Sequence, residues 1–208
     1  AQMIRHNLVI SEDEFKSYML FTEQANENGF RTYQELKNRV QHRLGDIDDY
    51  LDLTSGTITT KKSSERLSNT GMTERIGVSL GLNVINKFHG LTEADWAITP
   101  NVYIGGKRMK DFDYQISMAS DGSRFIQVEN KGSINDDNNY KTSSVSNHYS
   151  SIKGKKESIL DREKVQGIAR HQNIYYGTIS VLDNHNTAKV WLVDPEAYYI
   201  NWNPKNIN

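Results

Sequence analysis

The chain has 208 residues, 36% hydrophobic and 25% charged, with a formal net charge of −1 and no Cys. That length carries a sizeable core in one large domain, or one domain with a small appendage, and the balance excludes a disordered or fibrous chain and a simple basic wrapper of nucleic acid. Without Cys there is no disulfide framework and no thiolate zinc site, so a metal would be held by carboxylates, carbonyls or His, which points to Mg²⁺, Mn²⁺ or Ca²⁺.

No apolar run approaches the roughly 20 residues of a membrane-spanning helix, and the first residues lack the layout of a secretory signal. The expectation is an intracellular, cytoplasmic protein with no membrane partner. Residues 1–70 read as a helical N-terminal extension. Ser11 with Glu14 has the form of a capping box ahead of Phe15, Tyr18, Leu20 and Phe21, and Thr32 with Glu35 repeats it ahead of Leu36, Val40 and Leu44. Gly29 and Gly45 punctuate these helices, and residues 56–71 read as a connection.

Residues 71–208 have a different character. A helix over Thr73–His89 carries Ile76, Leu80, Val84 and Phe88 as a stripe, with Thr73 as cap and Gly90 as stop. Gly77 and Gly81, one turn apart inside it, cost about 1 kcal/mol each against Ala and make sense if the helix backbone packs close to a sheet. Strands follow at Trp96–Ile98 and Val102–Ile104, a two-residue turn at Gly105-Gly106, an alternating run over Arg108–Met118, a turn at Asp121-Gly122, and a strand over Arg124–Lys131. The polar stretch Gly132–Ser150 reads as a long loop, Ile152–Gln172 as a helix, and Ile174–Leu182 and Lys189–Val193 as strands joined at Asp183-Asn184. Residues 141–170 carry a local excess of four positive charges, from seven Lys and Arg against three Asp and Glu.

The period of two on the strand ending at Lys131 puts Gln127, Glu129 and Lys131 on one face and Ile126 and Val128 on the other. On the preceding run it aligns Asp111, Asp113 and Gln115 against Phe112, Tyr114 and Ile116. If these runs pair antiparallel, Asp113 and Glu129 converge, and two adjacent carboxylates at neutral pH call for a hard divalent cation. Asp111 is the alternative to Asp113 on that face. An isolated Glu-x-Lys is more often a surface ion pair, and Glu74 a helix-start carboxylate favoured by the dipole. His148, in the polar stretch, is read chiefly as solvent-exposed, with a nucleic-acid contact as the alternative.

Asp113, fifteen intervening residues, and Glu129-Asn130-Lys131-Gly132 at a strand end resemble the signature of the PD-(D/E)xK nucleases. The order helix, three strands, helix, two strands over residues 73–193 is similar to that family's αβββαβ core, although Pro100 is not adjacent to Asp113 and the family's nominal Pro-Asp pair is absent. The resemblance implies an α/β fold of restriction-endonuclease type, with a central mixed sheet flanked by helices. It implies Mg²⁺, replaceable by Mn²⁺, held by Asp113, Glu129 and the Asn130 carbonyl, with Lys131 acting on the attacking water and Glu74 supporting the site. DNA is the implied substrate, contacted through Lys153, Lys155 and Lys156, and a homodimer is an open arrangement. The alternatives are a nuclease subunit of a transposon, phage or defence system that needs a partner, a non-cleaving nucleic-acid-binding protein of the same fold, and an unrelated α+β binding domain.

Overall fold

The computed structural model describes residues 7–24, 32–54, 56–61, 70–92, 95–118, 124–139, 142–168 and 172–193. It is a mixed α/β fold around a five-stranded sheet. Two helices open the chain, α1 over Glu12–Gln24 and α2 over Tyr33–Tyr50. Both start as their capping residues require: the Ser11 and Thr32 hydroxyls accept from the backbone N–H of Glu14 and Glu35, each at 3.2 Å. Gly45 does not end α2, which continues until Ile47 and Leu51 enter the core.

A short pair follows, β1 over Leu51–Asp52 and β2 over Thr59–Thr60. Residues 56–61 are more than the connection expected for them. Thr60 is buried, its N–H donates to the Asp183 carbonyl at 2.9 Å, and Ala188 donates to Ile58 at 2.7 Å. Nor are the first two helices a separate layer. Phe15, Met19, Ile47 and Leu51 share one buried cluster with Met72, Ile76, Leu80 and Leu182 from the body of the fold.

Helix α3 spans Thr70–His89 and begins a turn before the expected cap. It is buried on all sides from residue 76 to 86. Ile76 and Leu80 face the N-terminal helices, while Val78, Leu82 and Ile85 join Trp96, Tyr114, Ile126 and Val128 of the sheet side. Phe88, expected on the apolar stripe, is 53% exposed, because the helix has run past its cover. Gly90 ends the helix at φ 64°, a left-handed position that favours glycine.

The main sheet has the order β3-β6-β7-β8-β9. β3 is Ala97–Ile98, β6 Tyr114–Ser117, β7 Phe125–Ile134, β8 Ile174–Leu182 and β9 Lys189–Val193. β7 and β8 run parallel and all other neighbours antiparallel. The expected strand over Arg108–Met118 divides in two: Lys107–Arg108 (β5) folds back on Tyr103–Ile104 (β4) across Gly105-Gly106, and only Tyr114–Ser117 joins the sheet. Both glycines have positive φ, as a two-residue hairpin of this twist requires. The Asp121-Gly122 turn lies outside the described residues.

Helix α4 covers Ser143–Val165 on the opposite face of the sheet from α3. The expected loop over Gly132–Ser150 is therefore mostly ordered as the end of β7 and the start of α4. Val145, Ile152 and Ile159 pack on Phe112, Tyr175, Ile179 and Val181. The turn between β8 and β9 begins at Asp183, as expected. Its carboxylate receives backbone N–H groups from Asn138, His185 and Asn186 and the Asn186 side chain. Burial works against that charge, yet the donors hold the Asp183 carboxyl below the ordinary range.

The α3–sheet contact is made by glycine. A Cβ on Gly77 would stand 2.6 Å from the Gly132 backbone, and one on Gly81 2.1 Å from the Thr178 hydroxyl. Gly77→Ala should therefore destabilise the protein by about 2–3 kcal/mol despite Ala's better helix propensity, because backbone cannot give way as a side chain can. Gly154→Ala, in α4 with nothing within 4 Å of the added carbon, should stabilise by about 0.5–1 kcal/mol. Urea denaturation of the two variants checks the opposite signs.

Candidate metal centre

Even-numbered residues of β7 face α3, and odd-numbered ones face α4. Val128 packs with Leu82 and Ile85, and Gly132 lies under Gly77, while Glu129 reaches Lys155 and Ser133 reaches His148 from the other helix. The expected face of Gln127, Glu129 and Lys131 is thus the α4 face. The β6–β7 register pairs Tyr114 with Val128, so the next position sets Asp113 opposite Glu129. The Asp113 backbone is held from both sides: its N–H donates to Val128 at 3.1 Å and its carbonyl accepts from Thr99 at 3.0 Å.

The two carboxylates converge on one ammonium. Lys155 Nζ donates to Asp113 Oδ1 at 3.3 Å and to Glu129 Oε2 in a shorter contact. Lys131 Nζ takes the other oxygen, Glu129 Oε1, at 2.8 Å. The Glu129 side chain is 1% exposed, against 39% for Asp113. Burial and then the neighbouring Asp113 charge push the Glu129 carboxyl above the ordinary glutamate range, and the two lysines only partly pull it back. For Lys131 burial acts to lower the pKa, but Glu129, Asp113 and Glu74 outweigh it and keep the ammonium charged. Tyr114, beside the pair, is pushed up to about 12 by burial and by the charges of Asp113 and Glu74.

Glu74 is exposed in the first turns of α3. Its charge acts on both Lys131 and Tyr114, so it stands at the same end of the sheet. The Asn130 side chain points away from the carboxylates, where its Oδ1 accepts from Thr178 at 2.7 Å. Its backbone carbonyl is another matter. Alternation along a strand turns the carbonyls of residues 128 and 130 to the same side, and Val128 bonds Asp113, so the Asn130 carbonyl points past the end of β6. Among the described residues, no group of three or more His, Cys, Asp or Glu is placed to hold a metal by side chains alone.

Three expectations change. Asp111 does not share the site with Asp113: the chain bends at Asp113, and Asp111 is half-buried against the Arg162 guanidinium, which also donates to the Lys110 carbonyl at 3.3 Å. Lys153, Lys155 and Lys156 do not form one phosphate-facing surface, because α4 turns them to different sides. Lys153 is exposed near Glu157, Lys155 is drawn into the carboxylates, and Lys156 is buried, donating to the Tyr175 carbonyl at 3.4 Å. His148 is not in a loop. It lies on α4, half-buried, with Nε2 2.9 Å from the Ser133 hydroxyl, and burial followed by the Lys131 charge lowers its pKa.

Lys155 at the carboxylates is the main feature that spacing alone does not assign. A signal for it exists: Lys155 sits one turn from both Ile152 and Ile159, the two residues that dock α4 on the sheet. Gln115 and Gln127, hydrogen-bonded at 3.0 Å, extend the same polar row.

No family model, curated protein or solved structure matched the chain. The site's chemistry therefore rests on its own geometry. Divalent-cation binding at these oxygens requires an ionised Glu129, and the Glu129 pKa is raised in the fold. As pH falls, cation affinity should begin to drop above the ordinary glutamate range, and Glu129→Gln should bind no cation at any pH. Calorimetric titration of Ca²⁺ across pH measures both.

Proposed function

We propose that this protein is a Mg²⁺-dependent endonuclease of the PD-(D/E)xK, restriction-endonuclease-like class that hydrolyses phosphodiester bonds in DNA. The observation that carries the reading is the register. Asp113 and Glu129 stand opposite each other where β6 begins, Lys131 follows two residues on, and the strands belong to a helix, three-strand meander, helix, parallel-strand order.

The residues suit a hard cation. Two carboxylate oxygens and an open backbone carbonyl are the donors Mg²⁺ takes, the remaining positions being left to water and phosphate. The ammonium drawn between Asp113 and Glu129 reflects the same demand for positive charge. Asp113, Glu129 and the Asn130 carbonyl would hold the ion, and Mn²⁺ would occupy the same donors. Bound there, the ion polarises the scissile phosphate and acidifies a water.

The chain's own groups do the rest. Lys131, kept charged by Glu129 Oε1, stays beside the reacting phosphate, orients the attacking water and offsets the negative charge that builds in the transition state. Glu74 adds a third carboxylate charge at the same sheet end. For backbone contacts the β4–β5 ribbon is better disposed than α4. Lys107 and Arg108 are exposed at its tip beside Tyr103, 62% exposed, and its base is tied to α4 by Arg162 only a few residues before Asp113.

The Lys155 contact favours one alternative, a nucleic-acid-binding domain that does not cut, in which two lysines neutralise the carboxylates permanently. Plasmid incubation with Mg²⁺, Ca²⁺ or EDTA separates the two. The nuclease reading expects cleavage with Mg²⁺ alone, and no cleavage under any of the three would favour the binding domain. Asp113→Ala and Glu129→Ala should abolish cutting with the fold intact by circular dichroism. Lys131→Ala should slow single-turnover cleavage by about 10²–10³, or roughly 3–4 kcal/mol, while cation binding survives. In Ca²⁺, the double variant Lys107→Ala, Arg108→Ala should lower the salt slope of duplex binding by about two, one for each phosphate neutralised.

A further inference from the structure

Lys155 makes a contact that a metal ion would have to replace. Its ammonium lies on Glu129 Oε2 and Asp113 Oδ1, the oxygens that face each other across β6 and β7. Lys131 uses a different oxygen, Glu129 Oε1, so the two lysines are not equivalent. A cation held by these two carboxylates would compete with Lys155 and not with Lys131.

The geometry points to Lys155 as a displaceable counter-ion that closes the metal centre without metal and, once displaced, is released onto a substrate phosphate. The inference rests on the nuclease reading above and deepens it. Three observations support the movement. The ammonium ends a flexible four-carbon stem, so it can swing without moving α4. Lys155 is only partly buried, its side chain 22% exposed, and its neighbours Lys153 and Gly154 are exposed, so solvent is within reach. Lys156, by contrast, is fixed by the Tyr175 carbonyl and lies over the Tyr175 ring at 5.9 Å, so the release is particular to Lys155.

Charge explains the direction. With Lys155 in place, the formal charges of Asp113, Glu129, Lys131 and Lys155 cancel, and the site offers nothing to an anion. A divalent cation on the carboxylates raises that group to a net charge of two, with one of its ammonium groups mobile. Metal binding and phosphate binding then favour each other, and by linkage the effect is the same whichever ligand comes first.

The test uses the full chain, Ca²⁺ as the cation and a short DNA duplex, at mildly alkaline pH. Lys155→Met should bind Ca²⁺ about tenfold more tightly than the wild type by calorimetry, about 1.4 kcal/mol, since no internal cation competes. In the same variant, the factor by which Ca²⁺ raises duplex affinity over EDTA should shrink by about tenfold. Lys155→Arg, which keeps a cation on that helix face, should bind Ca²⁺ no more tightly than the wild type. It separates loss of charge from damage to the fold, which circular dichroism also checks. Ca²⁺ affinity in Lys155→Met equal to or below the wild type, or an unchanged enhancement of duplex binding, would overturn the inference while leaving the nuclease reading intact. A wild-type chain that takes up no Ca²⁺ would sink both.

Discussion

The contact on which the rest of this structure depends is backbone against backbone, where α3 lies on β7 through Gly77, Gly81 and Gly132. No side chain fits there. A Cβ on Gly132 would stand 2.2 Å from the Thr73 carbonyl, so the helix and the strand lie at a separation that leaves no room for a side chain at this position. That closeness fixes the height of β7 and, through the pleat, commits its even-numbered residues to α3. The odd-numbered residues are thereby delivered to the opposite face, where α4 lies. Glu129, Lys131 and Ser133 stand in a row on that face because Val128, Asn130 and Gly132 are occupied beneath.

Helix α4 then sets the electrostatics. Its positive charges are mostly not a basic surface: Lys155 is on Glu129, Lys156 on a carbonyl of β8, and Arg162 on Asp111. Each cation pairs with an acceptor at or under the helix, and leaving such a group without a partner is costly in a low-dielectric setting. The buried Glu163 does the converse, accepting from the Tyr175 hydroxyl and the Asn173 amide, and burial followed by that hydrogen bond raises the Tyr175 pKa well above the tyrosine range.

Features whose pattern is local are legible in the amino-acid sequence itself. The capping pairs Ser11/Glu14 and Thr32/Glu35, the Gly105-Gly106 turn and the bounds of β8 and β9 need only near neighbours in the chain, and the fold contains all of them. The placement of Gln127, Glu129 and Lys131 on one face follows from the strand period alone. The start of α4 is hidden from such patterns because Val145 is the one buried position among its first nine residues, so no apolar stripe marks them. Phe112 defeats the alternation because the chain bends at Asp113, so Phe112 packs under α4 with Ile152 and Ile159 while Tyr114 packs under α3. Lys155 looks like a surface charge for a related reason: its partners lie 26 and 42 residues away, and no local rule reports a partner at that distance.

That separation has a consequence for how the chain folds. β6 and β7 are hairpin neighbours and can pair early, which brings Asp113 opposite Glu129. β7 and β8 are parallel, so their pairing waits for α4 to cross over the sheet, and α4 carries Lys155. Lys131 comes with the hairpin, whereas Lys155 reaches the two carboxylates only through the crossover. The late step of assembly is the closing of a charged gap, and it is the crossover, not the hairpin, that makes the centre electrically whole.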